Sequence, residues 1–200
     1  MKLKQKITCI CLAAVSLLPS VGAMKSSISM PENMNLYDYR EEKDPKDSPY
    51  YLWQTCDHII REHPYTPLDK TIGDTTDLCF KIFTKMHDFL CYKEVPSDCF
   101  YVAGLSNYIE ILGRINYILF NIILQTSDNM KQYFTPSPLT TVTLCKSITM
   151  VSAVIEQYEH IFHVELSESH SPRSKTKEIY QLICTTWEGL HRISNLNSFR

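Results

Sequence analysis

The chain has little glycine and none of the glycine-rich motifs that mark common active sites. Five of its 200 residues are glycine, and none belongs to a phosphate-cradling loop or to a G-x-S-x-G turn. No alternating apolar pattern of the kind that predicts a β-strand persists. Paired CxxC motifs and the HExxH order are also missing. The sequence therefore predicts no enzyme, no cofactor and no metal site.

One group of titratable residues shares a helical face without forming such a motif. Glu156, His160 and His163 are spaced i, i+4 and i+7, so they lie on one side of a helix. The sequence offers no obvious fourth ligand for a metal. We interpret the group as a solvent-facing patch near a helix C-terminus, where histidine is electrostatically favourable.

Long apolar runs are scarce as well, and the first of them has the form of a signal peptide. Three lysines precede an apolar stretch over residues 7–18, and Pro19 and small residues up to Ala23 follow. This order is typical of secretory signals, and the run is too short to span a membrane. We expect residues 1–23 to be cleaved, giving a secreted, extracellular protein with no membrane association.

The mature chain is expected to be mildly acidic. The chain has 20 basic and 22 acidic residues, and the signal segment removes three lysines, leaving a net charge of about −5. This balance does not favour nucleic acid as a partner. Residues 24–47 are polar and have no apolar period, so they predict a flexible acidic N-terminal arm. Residues 48–200 are left for a single domain.

A recurring start signal divides this domain into helices. Ser or Thr followed by Pro favours a helix N-terminus, and an apolar period near 3.6 follows each such pair. Thr66 with Asp69 resembles a capping box. The predicted helices cover residues 49–63, 67–93, 98–126, 138–165 and 172–195. The fold class is therefore all-α, a bundle of four to five helices with mostly antiparallel neighbours because the connections are short.

The third predicted helix has the densest apolar pattern of the five. It carries two charged residues, Glu110 and Arg114, which are four positions apart and therefore able to pair. We therefore predict that this helix is the most buried element of the bundle.

The cysteines predict that disulfides staple the bundle. Two of the eight lie in the signal segment, and an even number remains: Cys56, Cys79, Cys91, Cys99, Cys145 and Cys184. In a secreted chain these imply up to three disulfides with 15 possible connectivities. Equal distance from a turn favours Cys56–Cys79 and Cys91–Cys99. Cys145–Cys184 fits less well, and exchanged partners among the last four cysteines remain open.

The later half of the chain resembles the secreted helical cytokines, in particular the leukaemia-inhibitory-factor-like branch. The resemblance covers residues 100–196 and is carried by "YIEILGRINYILFNIILQ", "TPSPLTTVTLCKSI" and "KTKEIYQLICTTWEGLHRISNL". It implies receptor contacts on exposed faces of the first and last helices. It also implies an up-up-down-down order with long crossovers, whereas the connections here are short.

Three functions fit these features. The first is a non-enzymatic signalling protein that binds a cell-surface receptor. The second is a carrier of a small apolar ligand, in which an internal cavity is lined by Phe80, Phe83, Phe89, Phe100, Tyr108 and Phe120. The third is a secreted effector or inhibitor that acts on a host protein.

Overall fold

The computed structural model describes residues 48–91, 104–129, 136–167 and 175–195. The regular elements in these ranges are all helical, which confirms the all-α prediction. A 3₁₀ turn, His63–Tyr65, separates the first two of the five helices: α1 (Pro49–Glu62), α2 (Leu68–Leu90), α3 (Ile109–Asn129), α4 (Pro138–Ser167) and α5 (Lys175–Asn195).

The chain divides into two units, Met1–Met34 and Asn35–Arg200, and every described residue belongs to the second. The expected signal peptide and acidic arm lie outside the described residues.

Two of the helix starts follow the predicted chemistry and one does not. The hydroxyl of Ser48 accepts the N–H of Tyr51 at 3.2 Å, and the hydroxyl of Ser137 accepts the N–H of Thr140 at 3.2 Å. The predicted capping box at Thr66 is wrong. The side chain of Asp69 instead accepts the N–H of Ser137 at 2.8 Å and so joins the start of α2 to the start of α4.

Helix α3 begins later than the predicted residue 98. Residues 104–106 are helical, and a turn at residues 107–108 separates them from α3. Gly104 lies against the ring of Phe89 so closely that a Cβ would be 2.4 Å from its Cζ. This contact with the last turn of α2 explains why a small residue is needed there.

Two of the helix pairs with extensive packing run parallel. Asp69 and Thr76 of α2 bond Ser137 and Ser147 of α4, in the same order along both helices. In the same way, Asn116 of α3 bonds α5 near its middle, and Leu119, three residues later, contacts Gly189 farther along α5. Neither pair is consecutive in the chain, so neither bears on the prediction that helices joined by short connections run antiparallel.

Helices α4 and α5 run antiparallel. The indole N–H of Trp187 donates to the hydroxyl of Ser152 at 2.9 Å, and Tyr180 donates to Glu159, so the numbers of paired residues add to 339. Consecutive helices from α2 to α5 thus alternate in direction. Around the bundle the order is α2, α4, α5, α3, and α1 packs against both α2 and α3.

Arg114 of α3, which the sequence allowed to pair with Glu110, anchors α1. Its guanidinium lies 4.4 Å from the centre of the Trp53 ring and donates to the carboxylate of Asp57 at 3.1 Å. Arg61 also binds this carboxylate, at 2.6 Å. A stacked, partly buried arginine of this kind fixes the position of α1 through geometry as well as charge.

Candidate functional site

A stripe of exposed and half-buried residues, largely without charge, runs along the outer side of α3. It consists of Gly113, Tyr117, Phe120 and Leu124, which recur at helical spacing and so form one line. Phe120 is 36% exposed and Leu124 is 42% exposed. A Cβ added at Gly113 would meet nothing within 4 Å, so this glycine leaves an open notch in the stripe. We call these four residues the α3 stripe.

The side of α3 next to the stripe is held against α5. The amide of Asn116 donates to the carbonyl of Leu182 at 3.1 Å and accepts the hydroxyl of Thr186 at 2.8 Å. One turn away, a Cβ at Gly189 would lie 3.0 Å from the side chain of Leu119. Because these contacts fix both the rotation and the spacing of α3, the α3 stripe is presented on a rigid support.

A second exposed apolar surface lies on the first half of α4. Leu139 is 76% exposed and Val142 is 51% exposed, and Cys145 and Thr149 continue the same side of the helix. Lys146 is the one charged residue between positions 138 and 155. We call the surface formed by Leu139, Val142, Cys145 and Thr149 the α4 face.

Helix α4 is also long and apolar enough to cross a membrane, by length and composition alone, over Pro138–Val164. Only 28% of its most apolar window is buried. A core helix of a soluble bundle is mostly buried, so α4 has more apolar surface than its neighbours cover.

Hydroxyl groups join α4 to α2 on the side opposite the α4 face. Ser147 donates to the carbonyl of Thr76 at 2.6 Å in a buried position. A Cβ at Gly73 would lie 3.4 Å from the hydroxyl of Thr140, which is an ordinary contact. These small residues let the two parallel helices approach closely and direct the bulkier Leu139 outward.

Two of the six predicted site cysteines lie together in the core. Cys56 and Cys79 are both fully buried, on α1 and α2. Burial raises the pKa of the Cys56 thiol to about 12. Burial also raises the pKa of Cys79, and the nearby Cys56 raises it further. The structure records no disulfide among the five cysteines that it describes.

The other predicted cysteines are dispersed. Cys91 lies exposed at the end of α2, with its sulfur 3.7 Å from Nε2 of His87, and Cys99 lies outside the described residues. Cys145 is exposed on α4 and Cys184 is half-buried on α5. The antiparallel pairing places Cys145 level with Ser194, which is ten residues, or about 15 Å, from Cys184. This separation argues against the Cys145–Cys184 pair.

Cys184 belongs to a polar cluster between α4 and α5. Tyr180 donates a short hydrogen bond to Glu159, and its ring stacks on Tyr158 at 5.9 Å between centroids. Burial raises the pKa of Tyr180, and its hydrogen bonds to Glu159 and Cys184 raise it further. The tyrosine therefore stays protonated and acts as a donor between the helices, which is a structural role.

The structure places Glu156, His160 and His163 on the exposed side of α4. Within the described ranges, no cluster of three His, Cys, Asp or Glu residues is arranged to hold a metal ion.

The 3₁₀ turn between α1 and α2 contains a buried histidine. The side chain of His63 is 9% exposed, and neither ring nitrogen has a hydrogen-bond partner in the described part of the chain. Burial lowers the pKa of His63, because the apolar surroundings disfavour its charged form.

The aromatic residues proposed to line a cavity do not face a common space. Phe83 is fully buried between helices, whereas Phe120 points outward as part of the α3 stripe. Phe100 lies outside the described residues. The described rings therefore give no support to the carrier hypothesis.

No protein-family model matches this chain, and neither does any curated protein or solved structure. Its function must therefore be inferred from its own surfaces.

The α3 stripe and the α4 face were both missed by sequence reasoning. Phe120 was assigned to a cavity, and the third helix was expected to be the most buried element. The sequence did contain a sign of these surfaces. In both helices apolar residues occur on more than one side, beyond the single stripe of 3.6-residue period that contact with the core requires. The period alone does not tell which of the apolar sides faces the core.

Proposed function

We propose that this chain is a secreted, non-enzymatic signalling or receptor-binding protein that contacts its partner through the α3 stripe. The observation that carries the proposal is the line formed by the exposed Phe120 and Leu124 and the half-buried Tyr117, beside the open notch at Gly113. Aromatic residues are enriched at the centres of protein interfaces, where a few of them supply most of the affinity.

The geometry of the α3 stripe suits a partner helix or strand that approaches closely. The absence of a side chain at Gly113 lets a partner's backbone or a large side chain reach the helix surface. The hydrogen bonds of Asn116 and the contact of Gly189 hold α3 in place before binding. A surface that is already rigid loses less entropy on association, which favours affinity.

The proposal includes a disulfide between Cys56 and Cys79. Both thiols are buried in one core, and the pKa of Cys79 responds to the presence of Cys56. In an oxidising compartment, closing this loop would stabilise the fold by about 3 kcal/mol. The Cys91–Cys99 disulfide stays a prediction, because Cys99 lies outside the described residues.

The alternating helix directions differ from the up-up-down-down order that the cytokine resemblance implies. Receptor binding is therefore proposed on the basis of the α3 stripe. A cytokine-like role remains one form that this signalling function would take.

The test begins with expression of the full chain in secreting cells and N-terminal sequencing of the product, which is expected to start at residue 24. The purified product is then labelled and bound to intact cells. We expect saturable binding that Phe120→Ser weakens. Tyr51→Ser, which removes an aromatic ring of similar exposure on α1, is the matched control and should bind normally.

Two outcomes contradict the proposal. The first is retention of the chain inside the cell, which removes the secreted role. The second is equal binding by the Phe120→Ser and wild-type chains, which removes the α3 stripe from the interface. Binding to a soluble host enzyme in place of a cell-surface protein would favour the effector alternative.

A further inference from the structure

In the described part of the chain, the buried side-chain polar atoms that lack a hydrogen-bond partner all lie in one segment. They are the indole Nε1 of Trp53 on α1 and both ring nitrogens of His63 in the 3₁₀ turn that follows. Trp53 is 3% exposed and His63 is 9% exposed. Burying a donor or an acceptor without a partner costs the hydration that it has in water. These atoms therefore oppose the packing of the segment, because water would satisfy them if the segment opened.

The four-helix bundle formed by α2 to α5 differs, because buried polar groups between its helices are paired. Ser147 of α4 donates to the carbonyl of Thr76 of α2 at 2.6 Å. The hydroxyl of Tyr158 on α4 donates to the carbonyl of Thr176 on α5 at 2.9 Å. Neither hydrogen bond involves α1, so the four-helix bundle keeps both of them if α1 moves away.

Helix α1 is buried along one side only, and it packs on α2 and α3. Its buried residues form a single stripe at helical spacing, which consists of Leu52, Trp53, Cys56 and Ile59. A polar link joins Asp57 of α1 to Arg114 of α3 at 3.1 Å, and both side chains are partly exposed. Ion pairs that water can reach contribute little to stability. The packing of α1 therefore depends mainly on one apolar stripe.

The backbone between the 3₁₀ turn and α2 can act as a hinge. Thr66 and Pro67 are both extended, with ψ angles of 137° and 138°, and proline has no N–H to bond. Helix α2 has its own first backbone bond, from the N–H of Thr71 to the carbonyl of Pro67 at 3.0 Å. Asp69 holds the start of α2 to α4 by accepting the N–H of Ser137. Rotation at the hinge can therefore move α1 and the turn while α2 stays in place.

The core that α1 and α2 share contains two fully buried thiols. Cys56 lies on α1 and Cys79 lies on α2, and both have an exposed fraction of 0%. A reagent in solution therefore reaches them only when α1 moves away or the whole chain unfolds. A disulfide between them would join the middle of α1 to α2 and prevent that movement.

We propose that α1 and the 3₁₀ turn, residues 49–65, form a strap that opens as one unit while the four-helix bundle stays folded. The strap turns about Thr66 and Pro67, and a Cys56–Cys79 disulfide latches it shut. As the S–S bond forms, the two thiols lose two protons and two electrons. The oxidant is a low-molecular-weight disulfide, whose own S–S bond breaks to give two thiols. The latch rests on the disulfide included in the proposed function, whereas the opening of the strap does not.

Amide hydrogen exchange and alkylation of the purified, fully reduced chain test the opening. We expect protection factors across residues 49–65 to be alike and at least tenfold lower than those in the middle of α3. Iodoacetamide should modify Cys56 and Cys79 at equal rates, at least tenfold faster than global unfolding allows, because one opening exposes both. The exposed Cys145 gives the rate for an accessible thiol. Protection equal to that of α3, or a Cys79 that reacts only on global unfolding, would overturn the strap.

Oxidation of the same chain in a glutathione redox buffer tests the latch. Peptide mapping should link Cys56 to Cys79, and the protection factors of residues 49–65 should rise at least tenfold, to those of the four-helix bundle. A map without this link contradicts the latch, and so does a linked chain in which the protection of the strap is unchanged.

Two substitutions test the forces on the strap in the reduced chain. His63→Phe removes the two unpartnered nitrogens and should raise the protection of residues 49–65 severalfold. Arg114→Gln removes the link to Asp57 and should lower it severalfold. Glu110→Gln, the matched control, changes another charge on α3 and should leave it unchanged. Equal protection in all three variants would show that these groups do not act on the strap. Cell binding by the Phe120→Ser chain tests the proposed function separately, so either can fail alone.

Discussion

The bundle carries two exposed apolar surfaces that differ in chemistry. The α3 stripe is aromatic and contains the notch at Gly113, whereas the α4 face is aliphatic and contains a thiol. Both lie on helices that are joined to a parallel neighbour by polar bonds, through the half-buried Asn116 in one case and the buried Ser147 in the other. The core of the bundle is apolar, and each of these two helices keeps further bulky apolar side chains exposed outside it.

The largest expected effect is on cell binding, which a substitution in the α3 stripe should weaken and one in the α4 face should not. Phe120→Ser should weaken cell binding about 30-fold, which corresponds to about 2 kcal/mol, because it removes a central aromatic contact. Val142→Ser, in the α4 face, should leave cell binding unchanged. Titration of labelled protein on cells measures both effects.

Folding must be unchanged for that comparison to hold. Both side chains are substantially exposed, so the free energy of unfolding should shift by less than about 1 kcal/mol for either variant. If Val142→Ser impaired cell binding as strongly as Phe120→Ser, the two surfaces would be parts of one interface and the comparison would fail.

The second prediction concerns the contacts behind each surface. Gly189→Ala behind the α3 stripe should destabilise the fold by about 1 kcal/mol, because overpacking against Leu119 outweighs the gain in helix propensity. Gly73→Ala behind the α4 face should stabilise it by up to about 1 kcal/mol, because Thr140 is at ordinary contact distance. Urea denaturation of the two variants measures both values.

Equal effects of the two glycine substitutions would show that α3 and α5 are packed no more closely at Gly189 than α2 and α4 are at Gly73. The sharper form of the comparison uses Leu119→Val in the Gly189→Ala background. If contact with Leu119 causes the stability loss in Gly189→Ala, the shorter valine side chain should recover part of that loss.

The helices could be predicted from sequence because their signals are local. Ser48 and Ser137 cap helices as expected, and the apolar periods predicted five helices with ends close to the observed ones except at the start of α3. The failures involve residues that act across the bundle. Asp69 has the spacing of a capping box, yet it bonds the start of α4, and Arg114 has a partner four residues away, yet it binds Asp57 of α1.

The candidate surfaces could not be predicted for a related reason. Phe120 and Ile118 are equally apolar in the sequence, but Ile118 is buried and Phe120 is exposed. Which side of α3 faces the core depends on Asn116 meeting Thr186, 70 positions away in the chain. The cysteine pairs differ in the same way. The proposed Cys56–Cys79 pair depends only on the hairpin formed by α1 and α2. The separation between Cys145 and Cys184 depends on how α4 and α5 pack, which the sequence does not reveal.

The third prediction is that the fold loses stability in acid because of His63, in the 3₁₀ turn between α1 and α2. Burial lowers the folded-state pKa of His63 below its unfolded value of 6.5. The unfolded chain therefore takes up a proton first, so stability is fully present above pH 6.5 and falls as the pH drops toward the folded pKa. Burial lowers the pKa of His191 too, which adds to the same trend.

Urea denaturation between pH 7.5 and 5 tests this dependence. His63→Phe should reduce the slope of stability against pH in this range, and the contribution of His191 should remain. Amide hydrogen exchange should accelerate at the start of α2 before it accelerates in α3. An unchanged slope in the variant would mean that His63 is protonated at no extra cost in the folded chain.

The smallest expected effect on stability lies within the α3 stripe itself. Gly113→Ala should raise the free energy of unfolding by about 0.5–1 kcal/mol, because alanine favours the helix and its Cβ meets nothing within 4 Å. The same methyl group fills the notch and should weaken cell binding severalfold. Gly73→Ala is the control, since it changes a glycine in α2 away from the stripe. A more stable variant with unchanged binding would show that no partner approaches α3 at Gly113, whereas stability gained together with binding lost would assign this glycine to the interface.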